Sequence, residues 1–501
     1  MKILFATSEA YPLIKTGGLG DVAESLPRAL SAHGLDARIV LPAYRRVLEQ
    51  LTEPRILGWL DIATAAGPQV VRVLEASHPA FSASLFLIDA PALFDRDGGP
   101  YQHPDGYDWP DNAERFTVFS RAVAQLADDR LGIGWRADLV HANDWQTGLV
   151  PAYLSQLERP PRSVFTIHNI AYDCQFDMAT FSHLQMPHSW WSMHLGEFYG
   201  RFSMLKAGLV FSDVVTTVSP TYAEEICTPA YGYGYAAVLQ TNCDKLHGIL
   251  NGIDAETWNP RTDPLLVAHY QRKSPIRPAK KKNRKALLQT MGAGKTAIDA
   301  SVPLLGFIGR LVDQKGVDLL ADTIPVVFEN HDVQFVIIGT GHTHLEQRLS
   351  LLAQHYPDRL FLHLGYDEPL AHLLEAGSDM FVMPSRYEPC GLNQMYSMHY
   401  GTPPIVHTTG GLADTVVDAS AENLRNGSAT GFVFEYPEVQ DLSTAISRAL
   451  ALHADPKAWM ALMKTGMKQD FSWERSASEY IRLYRAPDSA ADGNAADGNN
   501  A

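Results

Sequence analysis

Cysteine is scarce in this chain: 4 residues in 501, Cys174, Cys227, Cys243 and Cys390, with no Cys-x-x-Cys spacing among them. This excludes a disulfide-stapled scaffold and the paired-thiolate metal motifs, and reduced thiols in a cytoplasmic setting are expected. Positive charge is in short supply too, with 41 Lys plus Arg against 56 Asp plus Glu and a formal net charge of -15. The basic footprint of a general nucleic-acid binder is missing, so no nucleic-acid partner is expected and any anion site must be local. Long apolar runs are also lacking: nothing approaches the ~20 uncharged residues of a membrane span, and no membrane association is expected. Met1–Ala6 resembles a leader peptide only briefly, because Glu9 and then a glycine loop interrupt it. What remains is a soluble chain too long for a single core, which favours two or three domains.

Short β-branched runs alternate with longer helical patterns, the signature of parallel sheets covered by helices on both faces. In the first half, strands are predicted at Ile3–Thr7, Arg38–Leu41, Val70–Leu74, Leu85–Ile88, Leu139–His141, Val164–Ile167 and Val214–Val218. A helix over Asp21–His33 places Val22, Leu26, Ala29 and Leu30 on one face. A second series begins afresh at Leu304–Ile308 and continues through Gln334–Ile338, Leu360–His363, Met380–Met383, Pro404–Val406 and Gly431–Phe434. The fold class is therefore α/β, with two Rossmann-like doubly wound domains. The expected division is an N-terminal domain over 1–250, a C-terminal domain over 251–468, a C-terminal helix over 469–486 that packs back on the first domain, and a disordered tail over 487–501. The Asn251-Gly252 turn marks the join. The basic cluster Lys280-Lys281-Lys282, Arg284 and Lys285 reads as a solvated helix start.

The most informative run is Lys15-Thr16-Gly17-Gly18-Leu19-Gly20-Asp21-Val22, between a strand and a helix. Glycines there let backbone N–H groups approach an anion, the helix N-terminus adds partial positive charge, and Lys15 completes a phosphate cradle. Gly18 to Ala23 formally fits a dinucleotide fingerprint, but the preceding loop is long and the second strand ends at Leu41-Pro42 without an acid for a ribose. Gly294-Lys295-Thr296 imitates a P-loop, but Gln289 occupies the place of its leading glycine. At the C-terminal ends of the second series lie Gly309–Gly316, with Arg310 and Lys315 able to neutralise a departing pyrophosphate. Pro384–Leu392 follows the strand ending at Met383. There the Glu388 carboxylate suits sugar hydroxyls, and the amides of Gly391 and Leu392 open a helix. Alone, each of these residues has a blander reading: Glu388 a helix cap, His168 a satisfied edge histidine, Cys390 a packing residue, Asp138 a turn cap.

Taken in series, KTGGLGD at Lys15–Asp21, HANDW at His141–Trp145, FTIHNIAY at Phe165–Tyr172, NGID at Asn251–Asp254, GRLVDQKG at Gly309–Gly316 and PSRYEPCGLNQ at Pro384–Gln394 resemble the bacterial glycogen synthase and starch synthase family. The resemblance runs in order from Met1 to about Tyr484. It implies a GT-B fold, two Rossmann-like domains facing across a cleft, and transfer of glucose from ADP-glucose to the non-reducing end of an α-1,4-glucan with retention. No metal and no cofactor beyond that substrate are implied. Under it, Lys15 with the Gly17 and Gly18 amides contacts the donor phosphates or the adjoining sugar, and Arg310 and Lys315 hold the pyrophosphate. His168, Asp138, Asn169 and Asn251 join Glu388, Cys390, Gly391 and Leu392 around the glucose, Tyr366 lies against adenine, and Asp21 orients a basic group or a sugar hydroxyl. The departing phosphate takes the acceptor proton on the same face while the His168 carbonyl shields the anomeric carbon. The chain departs from the family pattern at Phe94, Asn143, Asp173-Cys174 and Asn393, which bears on acceptor details and donor affinity. Trp190-Trp191, with His188 and Phe198, reads first as core, with a glucan platform as the alternative.

Overall fold

The computed structural model describes residues 1–64, 67–298 and 302–486; the tail expected to be disordered lies outside them. The chain divides into two compact units. The first comprises residues 1–218, 223–250 and the segment from Trp473 onward, the second residues 219–222 and 251–472.

The first unit is built on a nine-stranded sheet. Its strands are β1 (Lys2–Ala6), β2 (Asp36–Pro42), β3 (Arg55–Thr64), β4 (Gly67–Ala76), β5 (Leu85–Asp89), β6 (Leu139–Asn143) and β7 (Arg162–Ile167). Three short strands, β8 (Gln175–Phe176), β9 (Glu197–Phe198) and β10 (Arg201–Ser203), form a separate small sheet, and β11 (Val214–Thr217) and β12 (Leu246–Gly248) complete the large one. The spatial order is β12-β11-β7-β6-β1-β2-β5-β4-β3. β1 is central, with Ile3 to Ala6 fully buried, and pairs in parallel with β2 on one side and β6 on the other. The expectation of a wholly parallel sheet fails at β3, β4 and β5, which pair antiparallel. β3 ends at Thr64 and β4 starts at Gly67, too few residues for the crossover a parallel pair requires. Along β3, Leu60 and Ile62 are buried while Trp59 stands exposed, the alternation of a sheet with one wet face.

The helix Gly18–Ala32 begins three residues earlier than its apolar spacing suggests and buries Val22, Leu26, Ala29 and Leu30. The helix Trp473–Arg485 buries Trp473, Ala477, Tyr480 and Tyr484 along one face, and the Tyr484 hydroxyl lies 2.6 Å from His141 Nδ1. Trp190 is buried against Tyr153 and Phe211, and the half-buried Trp191 packs on Phe181, as the core reading of this pair expects.

The second unit carries a wholly parallel six-stranded sheet: β13 (Leu304–Ile308), β14 (Gln334–Gly339), β15 (Leu360–Leu364), β16 (Met380–Met383), β17 (Pro404–His407) and β18 (Phe432–Phe434). Its spatial order, β15-β14-β13-β16-β17-β18, reverses direction between β13 and β16. Such a switch point opens a crevice at the C-terminal strand ends and is where doubly wound sheets bind ligands. In the first unit the corresponding place lies between β1 and β6.

The basic cluster is only partly solvated, correcting the sequence reading. On the helix Ile276–Thr290, Lys280 and Arg284 are four residues apart and turn inward together. Lys280 donates to Thr402 Oγ1 at 2.6 Å, and Arg284 pairs with Asp379 at 2.9 Å. Burial brings the Lys280 ammonium down to about 7.

Candidate active site

In the second unit, glycine geometry sets the positions of the chemical groups. Gly316 has φ +64 and lies so close to the next loop that a Cβ would stand 2.0 Å from the Pro384 carbonyl oxygen. Gly410 has φ +42, and its Cβ would stand 2.1 Å from the Glu388 oxygen. The Pro384–Leu392 loop is thus held between two backbone segments that approach it closely only because they lack side chains. Arg386 ties the same loop to the one after β13, donating to both carboxylate oxygens of Asp318 at 2.6 and 2.7 Å and to the Asp313 carbonyl at 2.9 Å.

On this frame Lys315 Nζ donates to Glu388 Oε2 at 2.6 Å, and the Ser385 hydroxyl donates to the same oxygen at 2.9 Å. Glu388 is 5% exposed. Its carboxylate is a cation's partner rather than a helix cap, and the lysine keeps two further N–H donors for an anion. Arg310 stands exposed on the same loop, with Nη2 3.4 Å from Gln314 Oε1. A lysine, an arginine and a buried carboxylate therefore share the switch point between β13 and β16. Cys390 is buried, and burial pushes its thiol up to about 12 against the opposing hydrogen bond from the Asn251 amide. It is a packing residue, not a nucleophile. Asn251 is itself buried, with Oδ1 lacking a hydrogen-bond partner. A buried acceptor without a donor costs ~1–3 kcal/mol, so this atom fits the edge of a pocket for hydroxyls. Gly391 has φ +70 and leads with Leu392 into the helix Asn393–His399. The Asn393 side chain donates to the Ile308 carbonyl at 2.9 Å, joining that helix to the end of β13. Tyr366 follows β15 at 77% exposure.

The first unit's glycine loop differs from the expected cradle. Glu9, 4% exposed, aims Oε2 at the Thr16 amide and at the Gly17 amide, the latter at 3.1 Å. Tyr101 donates to Glu9 Oε1 at 2.5 Å. Burial raises the Glu9 carboxyl above its usual range, while these hydrogen bonds and the Lys15 charge oppose the shift. The Gly17 N–H is thus engaged by the protein's own acid, and Glu9 sets the loop's shape. Lys15 pairs with Asp21 at 2.7 Å, so Asp21 orients a basic group. A Cβ added at Gly17 or Gly18 would meet no other atom within 4 Å, so the space beside both glycines is open.

Past β6 and β7, Asp144 has φ +55, and its Oδ1 accepts from the His168 amide at 2.6 Å and the Asn169 amide at 3.4 Å. Burial raises this carboxyl to about 7, with those amides opposing. Asn143 Nδ2 donates to the Ala6 and His141 carbonyls, which turns Oδ1 toward His168 Nε2 at 2.9 Å. The imidazole therefore donates from Nε2 and keeps Nδ1 as its lone-pair nitrogen. Burial lowers the His168 pKa to about 3, so it is neutral at physiological pH. The Asn169 side chain accepts from the Ala171 amide at 3.0 Å, an internal turn.

The structure corrects the placement of Asp138. It precedes β6 and accepts from the Lys2 amide at 2.7 Å, at the N-terminal ends of β6 and β1 and opposite the strand ends that lead to His168. The acid beside His168 is Asp144, within the same HANDW motif. Phe94 is buried against Tyr44, and Asp173 accepts from the Leu205 amide at 2.9 Å. Both departures from the family pattern are absorbed by packing and by a helix start. Sequence reading missed Glu9, Tyr101, Asp144 and Ser385 as members of these sites. Asp144 and Ser385 lay inside the HANDW and PSRYEPCGLNQ motifs, and Glu9 showed as the acid that breaks the first apolar run.

Comparison with known proteins identifies the family of both units. Residues 2–241 match the family described as the starch synthase catalytic domain, and residues 293–461 match glycosyl transferases group 1. A glycogen synthase of Hydrogenovibrio crunogenus is 51% identical over 97% of this chain and 100% of its own length. Glycogen synthase 1 of Methylococcus capsulatus is 50% identical over 97% of this chain and 96% of its own. Among solved structures, the catalytic domain of starch synthase IV from Arabidopsis thaliana, bound to ADP and acarbose, superposes with a TM-score of 0.86 at 33% identity, covering 96% of this chain and 98% of that one.

Proposed function

Because the chain belongs to the bacterial glycogen synthase and starch synthase family of GT-B glycosyltransferases, we propose that it transfers glucose from ADP-glucose to the non-reducing end of an α-1,4-glucan, with retention. The observation that carries this reading is the Lys315–Glu388 pair at the β13–β16 switch point, with Arg310 on the same loop.

In the proposed reaction the bond between the anomeric carbon and the diphosphate oxygen breaks, and ADP leaves with the electron pair. Lys315 and Arg310 offset the charge that grows on the leaving group, so they act more strongly in the transition state than in the ground state. The acceptor O4 attacks on the same face and its proton passes to the departing phosphate oxygen. A retaining glycosidase instead requires a second carboxylate close to the first. Near Glu388 the side-chain partners are Lys315 and Ser385, which suits a leaving-group-assisted route. Glu388 would orient Lys315 and accept from a sugar hydroxyl. Asn251 Oδ1 would accept from another, and Tyr366 would stack on the adenine. His168, neutral and held by Asn143 and Asp144, would offer its backbone carbonyl to the positive anomeric carbon. Lys15 with Gly18 is the first unit's candidate for the donor.

The reaction as written asks for no metal and no cofactor. No described helix is long and apolar enough to cross a membrane, and the 4 cysteines are free thiols, which supports a cytoplasmic location. The test is release of ADP or UDP from the matching glucose donor, with and without glycogen. Glycogen-dependent ADP release that is lost in Glu388→Ala is the expected result. Release from UDP-glucose alone would move the donor assignment, and release from neither would overturn the reading.

A further inference from the structure

The loops after β13 and β14 are joined by a short backbone ladder. Gly309 donates to the Ile338 carbonyl at 3.1 Å, Leu311 to Thr340 at 2.8 Å and His342 to Leu311 at 2.8 Å. Two glycines make the approach possible: a Cβ on Gly339 would lie 2.0 Å from the Gly309 oxygen, and one on Gly341 would lie 2.2 Å from the Leu311 oxygen. Glu346 fixes the second loop from its own helix, Thr343–His355, accepting from Thr340 Oγ1 at 2.7 Å and the Gly341 amide at 2.8 Å.

Three exposed side chains hang from this frame. Asp313 comes from the first loop, His342 and His344 from the second, and one ligand atom of each lies within 4.8 Å of the others. His342 Nδ1 is 3.7 Å from Asp313 Oδ2, and the two imidazole rings are 5.5 Å apart at 30°. We infer that Asp313, His342 and His344 form a binding site for one divalent transition-metal ion, zinc being the best match.

The donor set decides the class of ion. Two imidazoles and one carboxylate suit zinc, cobalt or nickel, whereas calcium and magnesium require mostly oxygen ligands. With metal–ligand bonds of about 2.0–2.2 Å, donors around a tetrahedral ion stand ~3.3–3.6 Å apart, so small rotations of three exposed side chains close the site. Three protein ligands leave a fourth position for water. The site's exposure keeps the loss of ligand hydration small, and the Asp313 and Glu346 carboxylates supply negative charge. The helix N-terminus at Thr343 and the neighbouring Arg310 oppose a cation, so binding in the micromolar range is expected rather than the tight binding of structural zinc.

The ion takes no part in the glucosyl transfer. Its effect would be mechanical, since Arg310 and Lys315 flank Asp313 on the same turn, and an ion tying that turn to His342 and His344 would hold both cations in place. This consequence rests on the proposed function, but the metal site itself does not.

The test uses the full chain, freed of any affinity tag and stripped with chelator. Zinc is titrated against a chromophoric chelator, and cobalt is followed through its visible absorption. The expected result is one ion per chain with a dissociation constant below about 100 µM, weakened at least about tenfold in His344→Ala and in Asp313→Asn. Thermal midpoints and far-ultraviolet circular dichroism of both variants should match the parent, because both residues are exposed. Absence of stoichiometric binding at that concentration, or binding of equal strength in His344→Ala, would overturn the inference, whatever the outcome of the glycogen assay.

Discussion

The two units present the same topological feature with opposite chemistry. At the β1–β6 switch point the glycine loop is shaped by the protein's own acid, with Glu9 holding the Thr16 and Gly17 amides. At the β13–β16 switch point the cations stand forward, and the buried acid Glu388 sits behind Lys315. Glycine-rich backbone at a strand-to-helix turn therefore supplies a shape, and whether an external anion meets it depends on which charges the neighbouring loops bring. The lysine pairs show the same contrast. Lys15–Asp21 is a solvated pair, with side chains 39% and 25% exposed, whereas Lys315–Glu388 is more enclosed at 22% and 6%. Solvent screens the first pair, so substitutions in the second should carry the larger consequence.

The sharpest way to break this comparison is Glu388→Ala, which strands Lys315 and removes the proposed sugar contact. Turnover in ADP release should fall about a thousandfold, roughly 4 kcal/mol of transition-state stabilisation. Retention of a tenth of parental turnover would dissolve the distinction between the units. The matched change in the first unit, Glu9→Gln, keeps the shape and removes the charge from the hydrogen bonds. It should lower the unfolding free energy by ~1–3 kcal/mol and leave turnover within about tenfold of the parent. A loss of turnover as deep as that of Glu388→Ala would make the glycine loop chemical rather than architectural.

The histidines of the first unit sharpen the contrast through pH. His141 is fully buried between Tyr484 and Thr166, and burial lowers its pKa to about 3. The unfolded chain takes up this proton near 6.5 and the folded chain does not. Stability is thus complete above that pH and declines as the pH falls, by about 2 kcal/mol from this group between pH 6.5 and pH 5. His141→Phe should be less stable at pH 6.5 yet lose about 2 kcal/mol less on acidification, as read by denaturant unfolding at the two pH values. The smallest expected effect is at Tyr366, whose exposed ring is proposed to stack on the base. Tyr366→Ala should raise the donor KM about fivefold, near 1 kcal/mol, with kcat unchanged.

Much of the fold was legible in the sequence because buried parallel strands announce themselves as β-branched runs. β13 and β16 were read with the bounds they have. β3 was not, because the exposed Ile56 and Trp59 blur the apolar alternation of an edge strand with one wet face. Among the site residues, Arg310, Lys315 and Glu388 share the second unit's switch point, and their place just after two apolar strands found them. Asp138 was misplaced because an acid before a strand and an acid after it look alike in sequence while lying at opposite ends of β6, a strand of five residues. Glu9 and Tyr101 escaped because their pairing spans 92 positions and depends on tertiary burial. Lys280 and Arg284 were read as solvated because a charge run does not reveal which members turn inward.

The central claim is that Lys315 acts on the departing diphosphate more than on the bound donor. It is tested most directly by measuring, for Lys315→Gln and the parent together, the dissociation constant of ADP-glucose and the single-turnover rate of glucose transfer to glycogen. The account predicts donor affinity within about threefold of the parent and a rate lowered at least about a hundredfold. An unchanged rate, or a loss confined to donor affinity, would contradict it.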